Sequence, residues 1–331
     1  MRYALVTGGA GFLGGLLIRR LLADGWGVAS IDPRPILIEH ARLETVRGDI
    51  RKHDDLRGLM DRHHYDAVFH VAAMLAPAKG PELLTSNIEG TRVVADFARY
   101  HGVEKFVYTS TNCLWGKGLG RPVREDDAPC PVDDYGRSKW EAEKLLADFK
   151  GDMEVTIFRC PTIVDEGRLG LLAILFEFIR EGRKVWVVGD GRNRYQFVYA
   201  QDLIDAMLRA VEMSKPDTYG IGSDDVPTMA ETYESVIARA GSGSKLARLP
   251  EWPMRAAMGA AYRLGLSPLG PYHYRMIASD FEFDTTAVKR ELGWRPTMGN
   301  AEMLWRAYRH YAALPVTNSK MGLIRLLKLM S

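Results

Sequence analysis

The chain has 331 residues, and its 44 basic and 42 acidic side chains leave a formal net charge of +2, which gives no global electrostatic case for nucleic acid. Three cysteines (Cys113, Cys130 and Cys160), with no CxxC spacing and no clustered histidines, argue against a disulfide framework or a metal site. They fit a reducing, cytoplasmic compartment. A hydrophobic content of 47% supports a sizeable core, but no apolar run reaches the roughly 18 residues of a conventional membrane span, and no secretory signal is visible.

Residues 2–7 read as a short β-rich apolar run. It ends in Thr7-Gly8-Gly9-Ala10-Gly11-Phe12-Leu13-Gly14, after which Leu16, Leu17, Arg20, Leu21 and Leu22 follow a helical period. Strand, glycine turn and helix in this order let the backbone approach a pyrophosphate, with the helix N-terminus at Phe12 and Leu13 facing the phosphates. The glycines Gly8, Gly11 and Gly14 are spaced GxxGxxG. A second strand over residues 27–31 ends in Asp32. A carboxylate there accepts hydrogen bonds from the adenosine ribose and repels a 2′-phosphate, which favours NAD(H); Arg34, two residues on, keeps NADP(H) open. A third strand over 43–46 leads to Asp49 and Ile50, placed to flank the adenine or simply to form a surface turn.

Residues 67–71 read as a buried fourth strand running into Ala72 and Ala73, small residues that leave room for a dinucleotide outside the sheet. His70, inside that apolar strand, reads as a core histidine with satisfied hydrogen bonds. A helix from about residue 81 to 100 carries Asn87, and a fifth strand over 105–109 ends at Ser110, Thr111, Asn112 and Cys113. Downstream stands Tyr135-Gly136-Arg137-Ser138-Lys139. Residues four apart on a helix share a face, so Tyr135 and Lys139 point into one pocket, where an ammonium favours the phenolate and tunes it for acid/base work. A hydroxyl about 24 residues upstream, at Thr111 or at its neighbour Ser110, faces the same substrate oxygen.

Taken together, these motifs, including Gly48-Asp49-Ile50, His70-Val71-Ala72-Ala73 and Tyr108-Thr109-Ser110-Thr111, resemble the extended short-chain dehydrogenase/reductase family over roughly residues 1–310. The resemblance implies an α/β fold with a Rossmann-type doubly wound parallel sheet and a smaller, mostly helical C-terminal substrate region. It also implies a Thr111, Tyr135 and Lys139 catalytic group, cofactor contacts that include Asn87, Pro161 and Ile163, and a homodimer as a plausible assembly. Residues 1–165 are expected to bind the cofactor, with later returns to the sheet. Residues 166–315 supply the interleaved substrate region, and 316–331 an amphipathic basic tail whose residues 319–331 suit peripheral contact with the inner face of a membrane or packing on protein.

The substrate is expected to be chosen downstream. A sixth strand over 154–158, a helix over 171–180, a strand over 185–188 and a closing strand at residues 281–284 are expected. Dehydratases of the family follow the Thr with Asp-Glu, whereas this chain has Asn112-Cys113, which argues against water elimination. Sugar-nucleotide enzymes clamp a diphosphate with an Arg near the turn after Gly189-Asp190-Gly191; that place holds Tyr195, with Arg192 and Arg194 beside it. Cys113 matches a proton-transferring cysteine of some relatives, but its expected Lys or His partner falls on Phe178. With apolar candidate lids at residues 169–178 and 254–266, an apolar, lipid-like alcohol or ketone leads. A nucleotide-sugar 4-epimerase is the alternative, and a non-catalytic NAD(H) sensor stands behind both.

Overall fold

The computed structural model describes residues 1–75, 78, 80–168, 170, 172–264 and 270–315. The proposed basic tail, together with Leu169 and Leu266 of the two candidate lids, lies outside them. The first half alternates strands and helices: β1 (Tyr3–Thr7), α1 (Phe12–Ala23), β2 (Gly27–Asp32), β3 (Leu43–Arg47), α2 (His53–Met60), β4 (Ala67–His70), α3 (Pro81–Tyr100) and β5 (Lys105–Thr111). A single 3-10 turn, Asn112–Leu114, leads towards α4 (Asp134–Ala147), β6 (Glu154–Cys160), β7 (Thr162–Val164), α5 (Leu172–Arg180) and β8 (Val185–Val188). The remainder runs β9 (Phe197–Tyr199), α6 (Ala200–Met213), β10 (Thr218–Gly220), α7 (Met229–Arg239), β11 (Leu246–Leu249), α8 (Glu251–Arg263), α9 (Pro271–Met276), α10 (Thr286–Leu292) and α11 (Asn300–Ala313).

Seven strands form one parallel sheet in the order β10-β6-β5-β4-β1-β2-β3. Near-continuous apolar strands such as β2 and β4 are buried on both faces, as a parallel sheet requires. One face packs on α1 and α6 through Leu17, Ile18, Leu21, Leu203 and Met207. The other packs on α3 and α4 through Val94, Ala98, Ala142 and Leu146. β10, far along the chain, closes one edge of this sheet on β6. Among the described residues, no helix is long and apolar enough to cross a membrane.

Two downstream expectations are corrected. Residues 281–284 form no strand; Phe281 and Phe283 make isolated bridges to Tyr195 and Val123, two different segments, so no ladder can propagate. Both rings instead turn onto Trp115. The expected lid helix is a core element: Ala173, Phe176 and Ile179 of α5 are buried, with Phe176 against Tyr308 and Tyr311 of α11. α8, at the second candidate lid, has no buried residue.

The seating of α4 depends on one glycine. Asp133 caps the helix by accepting from Gly136 N at 2.8 Å, and a Cβ on Gly136 would stand 2.3 Å from the Cys113 carbonyl oxygen. Alanine normally gains about 1 kcal/mol over glycine inside a helix, but a backbone clash of this depth outweighs that gain. Gly136→Ala is expected to lower stability by roughly 1–3 kcal/mol. Gly58→Ala, in α2 with nothing within 4 Å of its Cβ, should be neutral or stabilising. Equal melting temperatures for the two variants would show that the contact does not hold α4 in place.

Candidate active site

At the end of β1 the chain turns through Gly8, whose φ of +78° suits glycine and whose Cβ would lie 2.8 Å from Ala72 Cα. Gly11 caps α1 without a side-chain hydrogen bond. The first-turn amides at Phe12 and Leu13 therefore remain donors for an anion. Asp32 is buried at the end of β2, accepting from Ala10 N at 3.2 Å, Arg34 N at 2.9 Å and Arg34 Nε at 3.2 Å. A cradle without side chains, an uncapped helix start and a carboxylate at the next strand end fit the diphosphate and ribose of a dinucleotide.

The flanking positions divide by how their polar atoms are engaged. Asp49 is ion-paired with Arg51 at 2.6 Å, and that guanidinium holds its carboxyl below the usual range. Ile50 packs where a Cβ on Gly90 would be. Ala72 N donates to Thr7 Oγ1 at 3.2 Å, and that hydroxyl meets His70 Nδ1 at 2.7 Å. On its other side His70 Nε2 meets Thr91 Oγ1 at 2.9 Å, so His70 is a core histidine, and burial pushes its pKa down to about 3. Ala73 continues the same loop. Asn87 is engaged within the protein: its Oδ1 accepts from Met74 N at 2.8 Å and its Nδ2 donates to Met74 O and to Ser138 Oγ. It fastens the loop after β4 to α4. Pro161 is buried at the end of β6, and Ile163 of β7 stands in register with Val198 of β9.

On the reaction side, β5 runs two residues beyond its expected end and carries Thr111 into the site. Thr111 Oγ1 accepts from Cys113 N at 3.1 Å, and the same hydroxyl acts to lower the pKa of Tyr135. Lys139, one turn along α4, is buried with Nζ 3.9 Å from the centroid of the Tyr108 ring. Burial pushes its pKa down to about 7, against the pull of Glu143 in the next turn. Tyr135 is shifted upwards, not downwards as the spacing alone implied. Desolvation is the dominant cause, with Cys113 adding to it; Arg168 and Thr111 pull the other way.

Glu143, Arg159, Asn112, Tyr272 and Arg168 carried no catalytic or binding assignment from sequence. Glu143 pairs with Arg159 at 2.8 Å, both buried, and accepts from Ser110 Oγ, which draws that serine to α4. Its place four residues after Lys139 was a readable signal. Asn112 donates from Nδ2 to Tyr195 Oη and Tyr272 Oη, each at 2.7 Å, and the two phenols are 2.9 Å apart. Tyr272 stands on α9, and no local pattern marks it. Cys113 lies beside these phenols, its thiol pushed up to about 12 by burial. Arg194 is turned away to the Val226 carbonyl and Arg192 is exposed beside Asp190. Arg168, from the loop between β7 and α5, lies over the Phe12 ring.

Comparison with known proteins places this geometry. An uncharacterized protein, y4nG, of Sinorhizobium fredii is 36% identical over 97% of this chain and 82% of its own length. A UDP-glucose 4-epimerase of Mycolicibacterium smegmatis is 28% identical, covering 90% and 95% of the two chains. A 3 beta-hydroxysteroid dehydrogenase/Delta 5→4-isomerase of Mycobacterium tuberculosis is 27% identical, covering 94% and 90%. The solved structure of a UDP-glucose 4-epimerase of Thermotoga maritima shares the fold at a TM-score of 0.77, with 23% identity over 93% of this chain and 98% of that one. Residues 4–222, which run from the glycine turn past Tyr195 but stop short of Tyr272, match the model of the NAD dependent epimerase/dehydratase family. The chain belongs to that family, and NAD(H) is its cofactor.

Proposed function

We propose that the protein interconverts a secondary alcohol and a ketone, with Tyr135 moving the proton. The observation that carries this reading is that Thr111 ends β5 near Tyr135, with Lys139 one turn along α4, at the sheet edge that also bears the glycine turn after β1. NAD(H) supplies the hydride chemistry that no side chain offers. Gly8, Gly11, Phe12 and Leu13 would hold the diphosphate, Asp32 the adenosine ribose and Lys139 the nicotinamide ribose. Asp49 and Ile50 flank the adenine, while Ala72, Ala73, Pro161 and Ile163 line the cleft. Thr111 donates to the substrate oxygen, and Tyr135 takes or returns its proton.

For the substrate, an apolar carbinol or ketone is our first reading. Its support is the wall of Cys113, Tyr195 and Tyr272 in front of Trp115, Phe281 and Phe283, an apolar cluster. Tyr195 stands where a diphosphate-clamping arginine would be needed, and its hydroxyl is committed to Asn112 and Tyr272. Nucleotide-sugar 4-epimerisation is the second reading, favoured by the 28% identity to a UDP-glucose 4-epimerase across nearly the whole chain.

Three outcomes are expected. Tyr135→Phe should lower turnover by roughly 10²–10⁴-fold while NAD⁺ affinity stays unchanged; near-native turnover would remove Tyr135 from the mechanism. In the wild type, incubation with NADH and either keto-lipids or UDP-sugars should give net nicotinamide oxidation with the lipids. Isomerised sugar without net oxidation would select the second reading. Asp32→Ser should raise NADP⁺ affinity relative to NAD⁺ by about tenfold or more, because a serine no longer repels the 2′-phosphate and Arg34 is freed to pair with it. An unchanged ratio of dissociation constants would mean that Asp32 does not set the preference.

Lys139 also makes stability depend on pH. Its folded pKa of about 7 lies below the unfolded value of about 10.4. The native state is therefore penalised in full below pH 7, and the penalty fades as pH rises towards 10, where the unfolded state also loses its proton. The melting temperature of Lys139→Met should exceed that of the wild type by most at or below pH 7, and the gap should close towards pH 10. A pH-independent gap would mean that Lys139 titrates normally in the fold.

A further inference from the structure

Arg168 has no counter-ion among the described residues. The nearest acids on its own loop are already engaged: Asp165 lies 3.5 Å from Arg306 Nε and accepts from Gln201, and Glu166 pairs with Arg306 at 3.1 Å. Three other arginines around the cleft each have a carboxylate, Arg34 with Asp32, Arg51 with Asp49 and Arg159 with Glu143. Arg168 instead lies half-buried with its guanidinium carbon 5.6 Å from the centroid of the Phe12 ring, and its charge is felt at Tyr135. A cation withdrawn from water without a partner is costly, and such groups persist where a ligand completes the pair.

Its two neighbours define which ligand that is. Phe12 opens α1, the helix whose uncapped N-terminus faces a phosphate, and Tyr135 marks the far end of the cleft. A dinucleotide with its adenosine ribose at Asp32 and its other ribose at Lys139 must carry its diphosphate between these two points. We propose that Arg168 is a second wall of the diphosphate site, pairing with the phosphate oxygens from the side opposite the α1 amides. This rests on the cofactor placement given above. The guanidinium fork suits two phosphate oxygens at once, which an ammonium cannot match. Binding would take the positive charge off the space next to Tyr135, so that cofactor seating and the ionic surroundings of the phenol change together.

The test uses the full chain and measures binding of NAD⁺, ADP, UDP and adenosine by calorimetry or ligand-observed NMR. Arg168→Gln should weaken NAD⁺ and ADP about tenfold to a hundredfold, the usual range for a charge-assisted contact, and should leave adenosine unchanged. The adenosine result also reports that the variant is folded. Arg168→Lys should recover part of the loss, and the salt dependence of ADP binding should fall in Arg168→Gln. Wild-type affinity for ADP in Arg168→Gln would overturn the proposal, as would an equal loss of adenosine. Loss of UDP with ADP retained would also overturn it, by assigning the arginine to a substrate diphosphate. A wild-type chain that binds neither NAD⁺ nor ADP would overturn the cofactor placement itself and this assignment with it.

Discussion

The backbone contact between α4 and the end of β5 determines how closely Thr111, Tyr135 and Lys139 approach one another. β5 and β6 run in parallel register through Thr111 and Cys160, which brings the strand end up to the rim of the sheet. α4 then lands on that rim with Gly136 against the Cys113 carbonyl. With no side chain between them, Tyr135 is brought beside Thr111 and Lys139 over Tyr108. Asn87 fixes the same helix from the other side by bonding Ser138 and both polar backbone atoms of Met74. The loop after β4 and the helix that carries Tyr135 and Lys139 are thus one mechanical unit.

Burial around that unit is electrically expensive, and the chain offsets it with pairs. Glu143 and Arg159 are both withdrawn from water and joined in a bidentate contact, with Ser110 and the Glu125 carbonyl using the remaining hydrogen-bonding capacity. Removing one partner of such a pair typically costs about 3–5 kcal/mol, so this pair and the core beneath α4 are interdependent. Glu143 also leaves a negative charge one turn from Lys139, opposing the desolvation that drives its ammonium towards neutrality. The upward shift of Tyr135 follows from the same burial: loss of water outweighs the pull of Arg168 and Thr111.

The strand, glycine turn and helix at the N-terminus, and the acid that ends β2, were legible in the sequence because their signals are local. A glycine turn between a strand and a helix, and an acid at the end of the next strand, each lie within a few residues of what they act on. Tyr135 and Lys139 share a face by helical spacing alone. The strand at residues 281–284 was misread for a complementary reason: alternation of Phe281 and Phe283 resembles a strand, but each ring answers to Trp115 and each backbone bridge to a different partner. Likewise, the apolar run of α5 reads equally well as a lid or as core, and only the positions of Tyr308 and Tyr311 decide for core.

The cluster of Asn112, Tyr195 and Tyr272 is assembled from segments far apart in sequence. Asn112 ends β5, Tyr195 precedes β9 and Tyr272 belongs to the short α9, yet their polar atoms form a single triangle of hydrogen bonds. Each residue alone is unremarkable, and no spacing rule connects positions 77 or 83 residues apart. The triangle has a chemical consequence. An amide that donates to both phenols fixes their oxygens beside Cys113. Under the proposed reading, the shape of this aromatic cluster would set specificity, and charge would enter through Arg168 and the N-terminus of α1.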